Sequence, residues 1–325
     1  MNVTMEILLA LTSAIFLFVI LYFLSGVLLY DNLLSRRMYA RRVRASSREA
    51  LKKDKSKDRF TEKGEAWFHR KKPAETAILS GRGELLHGYI IPAPEFSDKW
   101  VICIHGYTGA PDTMGPFGRK LHYAGYNTLY PALRGHEKSE KNTISMGWHD
   151  RLDLIDWCLS ITDTNPAAQI VLFGVSMGAS TAMMASGEDL PESVRCIVAD
   201  CGFSSVWDIF AVQLKKYSGL PAKPFLYPIS TMAKLIDRLN IREASCVGQV
   251  KKSRTPTLFI HGDADELIPY SMMEDLYEAA GCEKEKLLIP DGKHGLAVNA
   301  NPKLYWSTVK TFLRQNLAEP VRAVA

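Results

Sequence analysis

The chain has no CxxC pair, no glycine-rich phosphate loop, no internal repeat and no low-complexity block. Without CxxC, neither a zinc site nor a thioredoxin-like motif is indicated. Without a repeat, solenoids and propellers are excluded. No metal cluster stands out, so no cofactor is implied. Charge is nearly missing from the first 30 residues, where Glu6 is alone. The six cysteines are few for 325 residues, and Cys103 and Cys196 lie in apolar, strand-like runs where they act as small hydrophobes. Unpaired buried thiols suit a reducing compartment.

What is present is ordinary globular material with an unusual start. Hydrophobic residues make up 47% and charged residues 23%, enough for a sizeable core and too apolar for a disordered chain. The net charge of +5 is local. Residues 31–72 hold 15 Lys and Arg against 6 Asp and Glu, whereas residues 73–325 hold 25 against 28. A nucleic-acid enzyme carries its basic patch on the fold, so that class is disfavoured.

Ile7–Tyr30 runs for 24 residues without charge or proline. About 20 apolar residues in a helix span the hydrocarbon core, so residues 1–30 read as a transmembrane anchor. A cleaved signal peptide would want a basic start, a shorter run and a small-residue cleavage site. Arg36, Arg37, Arg41, Arg42 and Arg44 follow the run, and no Lys or Arg precedes it. The positive-inside rule then expects a single-pass membrane protein with a cytoplasmic body, the export of the body being the alternative. Residues 31–72 read as a basic juxtamembrane linker, residues 73–318 as the folded domain and 319–325 as a tail.

In the body, strand-like runs alternate with helical patterns. Strands are expected at 77–80, 85–91, 100–104, 126–130, 170–173, 197–199, 257–260 and 286–289. Helices are expected at 112–124, 148–161, 176–186, 271–280 and 302–315. That alternation predicts an α/β fold with a mainly parallel sheet covered by helices on both faces. In such sheets, sites collect at the carboxyl ends of strands.

The chemistry-bearing motifs fall at those ends. Gly174-Val175-Ser176-Met177-Gly178 is G-x-S-x-G between an apolar strand and a small-residue helix. This is the setting of a nucleophile elbow, in which a strained turn exposes a serine. An acyl-transfer site also needs two backbone N–H donors for the developing oxyanion. The residue after the nucleophile, Met177, offers one, and Tyr107 in the His105–Gly109 loop offers the other. His105 itself reads as a packed residue that holds this loop. The loop after residues 257–260 offers Asp263, Asp265 and Glu266 as acids. His294, the one histidine of eight that follows the last strand, is placed to act as the base.

Taken together, these motifs resemble the α/β-hydrolase superfamily, in particular membrane-anchored serine hydrolases of the esterase, acylaminoacyl-peptidase-like and prolyl-oligopeptidase-like group. The resemblance covers about residues 75–316. Gly262 to Pro269 matches the family's G-x-x-D-x-x-[VI]-P with Asp265 in the acid position, which implies a triad of Ser176, Asp265 and His294. Leu133–Ser139 resembles R-G-H-G-x-S, but Glu137 replaces the second glycine, and this puts the local loop shape in question. Gly147-Trp148 and Asp150–Asp153 resemble a helix start of the same group. Residues 203–250, apolar and broken by Pro221, Pro224 and Pro228, look like a short helical lid. The expected activity is hydrolysis of an ester, thioester or amide, carboxylesterase- or lipase-like. The same triad leaves a peptidase or an acyltransferase open, and a non-catalytic membrane scaffold is the reading from another class. The expected partners are a small acyl ester or peptide substrate, and the membrane through residues 7–30.

Overall fold

The computed structural model describes residues 3–38, 41, 59–141, 143–219 and 221–317. Arg42 and Arg44, most of the basic stretch before residue 59 and the tail lie outside the described residues. An eight-stranded sheet forms the centre, in the order β1-β2-β4-β3-β5-β6-β7-β8. β1 (Ala74–Leu79) and β2 (Leu85–Ile91) form an antiparallel edge, and β2 pairs antiparallel with β4 (Asn127–Pro131). From β4 onward, β3 (Lys99–Ile104), β5 (Gln169–Val175), β6 (Val194–Asp200), β7 (Thr257–Gly262) and β8 (Lys284–Ile289) pair in parallel. All eight expected strands are present, so the doubly covered α/β architecture implied by the resemblance is the one found.

The central parallel strands β3 and β5 are almost wholly apolar because both faces are covered, whereas edge strand β8 is half exposed and carries Lys284, Glu285 and Lys286. Ile102 and Leu172 face one layer of the core together with Trp157 and Met183. Their neighbours Val101, Val171 and Phe173 face the other, with Phe117 and Phe312. The first layer takes α4 (Asp150–Thr164) and α5 (Met177–Ala185); the second takes α3 (Gly115–His122) and α11 (Pro302–Asn316). α2 (Arg59–Lys71), within the stretch read from sequence as basic linker, also joins the second layer, burying Trp67 and Phe68. Its close approach is steric: a side chain on Gly64 would sit 2.3 Å from the Pro116 backbone.

Between β6 and β7 lie α6 (Val206–Ser218), α7 (Ala222–Asp237) and α8 (Cys246–Val250). α6 starts on Ser205, whose hydroxyl accepts the Asp208 amide, and ends on Gly219 in the left-handed region at φ 68°. The apolar start of the chain is one 32-residue helix, α1 (Val3–Leu34), long and apolar enough to cross a membrane. It is a candidate transmembrane span. Its side chains are exposed from residue 3 through 21, but Gly26, Tyr30 and Leu34 are buried against the body. Among the described residues the remaining helices are α9 (Ser271–Ala279), the short α10 (Ala297–Ala300) and a 3-10 turn at Pro111–Met114.

Candidate active site

Register brings the motifs together. β5 pairs with β3 so that Gly174 lies opposite Ile104, and with β6 so that Val175 lies opposite Asp200. β7 pairs with β8 up to Gly262 and Ile289. The loops that follow β3, β5, β6, β7 and β8 therefore share one edge of the sheet.

Ser176 sits at φ 58° and ψ −122°, between the end of β5 and the first turn of α5. A non-glycine residue held there costs about 1–3 kcal/mol, which the surrounding contacts must supply. Those contacts explain the flanking glycines. A side chain on Gly178 would meet the Ile104 carbonyl oxygen at 2.0 Å, and one on Gly174 would meet Gly178 at 2.3 Å. Helix and strand thus approach too closely for any side chain, and the serine is pushed outward. Ser176 N–H donates to the Asp200 carbonyl at 2.8 Å, fixing the turn to β6.

Ser176 Oγ lies 2.9 Å from His294 Nε2, and His294 Nδ1 lies 2.7 Å from Asp265 Oδ2. Asp265 Oδ1 accepts the Leu267 and Ile268 amides at 2.8 and 2.9 Å. Burial by itself would raise the Asp265 pKa. Hydrogen bonds from His261 and His294 and the Ile268 amide outweigh burial and hold the carboxyl well below its usual range. A fixed carboxylate on Nδ1 leaves Nε2 free to accept the serine proton, which is the geometry of a general base on an activated hydroxyl. Asp263 plays another part: it is exposed, and its Oδ1 accepts the Asp291 amide at 2.7 Å, joining the two loops.

Tyr107 and Met177 line the same cavity as the serine. Met177 opens α5, so its N–H is among the first-turn amides that have no partner within the helix. The loop carrying Tyr107 passes beside the nucleophile, since a side chain on Gly106 would lie 3.3 Å from Ser176 Cβ. His105 accepts the Leu133 amide on Nε2 at 3.1 Å and donates from Nδ1 to the Gly106 carbonyl at 2.8 Å. Burial first, then the neighbouring His136, pushes its pKa down to about 3, so it is a neutral brace for the loop. Glu137, the residue in place of the motif glycine, takes φ 42° on the neighbouring loop. The backbone keeps the glycine-like turn, and Tyr89 Oη donates to the Glu137 carboxylate at 3.2 Å. Behind it, buried Arg134 pairs with Asp153 and with Glu84, and its amide donates to Asp150 at 2.8 Å.

A cavity of about 450 Å³ opens on Ser176. Phe203, Ile209 and Phe210 line it from the β6–β7 segment, with Met146, Leu267 and Ile268. Leu33, from the end of α1, lines it as well. Two features of the site had no signal in the sequence. One is Leu33. The other is a second buried carboxylate, Asp200, which accepts the Tyr305 hydroxyl at 2.7 Å and is pushed up to about 6, chiefly by burial. Among the described residues, Cys201, Asp265 and His294 have ligand atoms within 4.8 Å of one another. That set suits a metal poorly: a sulfur ligand must be a thiolate, and burial raises the Cys201 pKa well above its ordinary value.

Comparison with known proteins places the fold. A model of the alpha/beta hydrolase fold matches residues 99–220. The Bacillus subtilis protein YqkD, described as uncharacterized, is 29% identical over 247 residues, which are 76% of this chain and 81% of that one. The Salmonella typhi protein YfhR, likewise described as uncharacterized, is 31% identical over 237 residues, covering 68% of this chain and 74% of its own. Among solved structures, the Pyrococcus furiosus esterase Pf2001 superposes with a TM-score of 0.63 at 24% identity, over 77% of this chain and 94% of that one. The Pyrococcus horikoshii acylaminoacyl peptidase superposes with a TM-score of 0.58 at 18% identity, over 78% of this chain and 43% of the other. At these identities the two structures speak to the fold.

Proposed function

We propose that this chain, which belongs to the α/β-hydrolase superfamily, is a serine hydrolase that cleaves carboxylic esters through an acyl-enzyme. The observation that carries the reading is the line Ser176 Oγ–His294 Nε2 at 2.9 Å and His294 Nδ1–Asp265 at 2.7 Å. Ser176 attacks the ester carbonyl while His294 takes its proton. Asp265 holds the imidazolium that forms and keeps its tautomer. The amides of Tyr107 and Met177 receive the oxyanion, an interaction worth about 2.7–4 kcal/mol per donor in comparable sites. His294 returns the proton to the leaving alcohol, and the acyl group stays on Ser176. Water, activated by the same histidine, then releases the acid.

The apolar lining of the cavity favours an acyl chain over a peptide, because peptide groups left without hydrogen-bond partners there would cost free energy. The esterase likeness agrees with this preference. An alcohol or amine in place of the water would make the same site an acyltransferase, since only the acceptor differs. In the same reading α1 is a membrane anchor, and the arginines after it favour a cytoplasmic body by the positive-inside rule. A comparison of p-nitrophenyl esters with aminoacyl p-nitroanilides, run on wild type and Ser176→Ala, tests the activity. Ester turnover that vanishes in the variant supports the reading; turnover retained near the wild-type rate refutes it. Protease digestion of the body in intact cells would refute the cytoplasmic placement.

A further inference from the structure

The apolar helix that would cross the membrane does not stop at a tether. Its last turns are built into the active site. The contacts of α1 with the body fall on Tyr22, Ser25, Gly26, Leu29, Tyr30, Leu33 and Leu34, a stripe at helical spacing. Before Tyr22, every side chain from Val3 is exposed. Those 19 residues measure about 28 Å at ~1.5 Å per residue, and the hydrocarbon core is about 30 Å thick. With Glu6 at the outer interface, the free part of the helix covers most of the hydrocarbon thickness, and the body begins close to where the hydrocarbon ends.

The joint has the close packing and interhelical hydrogen bonding typical of helices in lipid. A side chain on Gly26 would lie 2.7 Å from the Pro228 carbonyl oxygen of α7. The Tyr22 hydroxyl hydrogen-bonds the Thr231 hydroxyl at 2.7 Å. Lower down, Tyr30 meets Thr143 at 2.7 Å, and the Ile144 amide donates to the Leu34 carbonyl at 2.7 Å. Arg36, first of the arginines, donates to the Ser139 carbonyl at 3.2 Å and to that of Glu137. Two contacts reach the chemistry itself. Leu33 forms part of the wall of the cavity that opens on Ser176. The Tyr107 hydroxyl donates to the Leu33 carbonyl at 2.6 Å, so the loop proposed to hold the oxyanion is fastened to the end of α1.

We infer that the substrate is a single-chain acyl lipid resident in the bilayer, whose chain enters along α1 and seats against Leu33 while its ester reaches Ser176. The inference rests on the serine-hydrolase reading and adds the source and class of the substrate. At about 30 Å³ for each water-sized group, the cavity of about 450 Å³ holds about 15 such groups, the scale of one long acyl chain. Tyr22, where the body begins, and Leu33 are 11 residues apart, about 17 Å at ~1.5 Å per residue, so a lipid drawn part of the way out of the hydrocarbon along α1 brings its ester to the cavity on Ser176.

The test uses the full chain reconstituted in phosphatidylcholine vesicles containing 1-oleoylglycerol, with p-nitrophenyl butyrate as the short soluble ester. Labelling of Ser176 by a fluorophosphonate is read on the same samples. We expect wild type to prefer 1-oleoylglycerol in kcat/KM. Leu33→Trp, which fills the wall, should lower the ratio of long-chain to butyrate kcat/KM at least tenfold. Leu28→Trp, on the exposed side of α1, should leave that ratio unchanged. Leu33→Ala, a gentler change, should shift the preference toward longer chains. An unchanged ratio in both Leu33 variants, or a wild type that prefers butyrate, overturns the inference while the serine still labels. If neither Leu33 variant folds, the wild-type preference decides. Loss of labelling in the folded wild type would instead overturn the hydrolase reading beneath it.

Discussion

Replacing Asp265 by asparagine separates a catalytic carboxylate from a structural one. In the native site Oδ1 accepts the Leu267 and Ile268 amides, and Oδ2 accepts His294 Nδ1–H. An asparagine that keeps the two amides on its oxygen must turn its NH₂ toward His294. Nδ1 then becomes an acceptor, and the ring proton moves to Nε2, which lies 2.9 Å from Ser176 Oγ. In that tautomer the ring cannot take the serine proton. The same exchange lowers kcat by about 10⁴ in a chymotrypsin-like protease, which is about 5.4 kcal/mol at ~1.36 kcal/mol per tenfold change. A similar loss is expected here with little change in folding, because the side-chain volume and both amide contacts survive. Asp263→Asn is the control. Its exposed oxygen can still accept the Asp291 amide, so a change within about 0.5 kcal/mol, roughly twofold, is expected. Steady-state hydrolysis of a p-nitrophenyl ester, with circular dichroism on each variant, measures both. A loss below tenfold in Asp265→Asn, or a larger loss in Asp263→Asn, would refute the assignment of the acid.

Three further outcomes follow from the geometry. Gly178→Ala should abolish folding or activity, since its methyl would overlap the Ile104 carbonyl, whereas exposed Gly248→Ala in α8 meets only ordinary contacts and should raise Tm through helix propensity of up to about 1 kcal/mol; equal Tm values for the two variants would contradict the steric account. Tyr107→Phe removes the bond to the Leu33 carbonyl and should lower kcat about tenfold for the ~1–1.5 kcal/mol of a lost hydrogen bond, with KM little changed and no effect of the short-ester leaving group on the ratio; a KM effect alone would make Tyr107 a binding residue instead. Asp200 holds its proton more tightly folded than unfolded, with a pKa raised from 3.8 to about 6, so its stabilisation is complete below the ordinary carboxylate range and is lost as pH rises through about 6. That interval amounts to about 3 kcal/mol at most. The Tm of Asp200→Asn should therefore gain on wild type between pH 4 and pH 7, and parallel Tm curves would refute the claim.

The parts legible in the sequence are those fixed by short-range sterics. G-x-S-x-G is written into the chain because a Cβ on Gly174 or Gly178 would come within 2.0–2.3 Å of neighbouring backbone. The strands were legible because a sheet covered on both faces needs unbroken apolar runs such as those around Val101–Ile104 and Val171–Phe173. The lower part of α1 was not. An apolar run reads as a membrane span whichever face is buried, and only Ser25, Gly26 and the two tyrosines, Tyr22 and Tyr30, hint that one side packs on protein. α2 was hidden for the opposite reason: Trp67 and Phe68 are two aromatics in a strongly basic stretch, and their burial depends on the partner surface around Pro116 and Tyr130. Asp200 and Tyr305 meet across 105 residues, a distance at which no local pattern carries a signal.

The central claim is that Ser176 is a nucleophile activated by His294, and covalent labelling tests it most directly. The full chain in detergent, treated with a fluorophosphonate and mapped by peptide mass spectrometry, should carry one adduct per chain, on Ser176. Ser176→Ala should carry none, and His294→Ala should label orders of magnitude more slowly while keeping its fold. A folded wild type that takes up no label, or an adduct that persists in Ser176→Ala, would contradict the account.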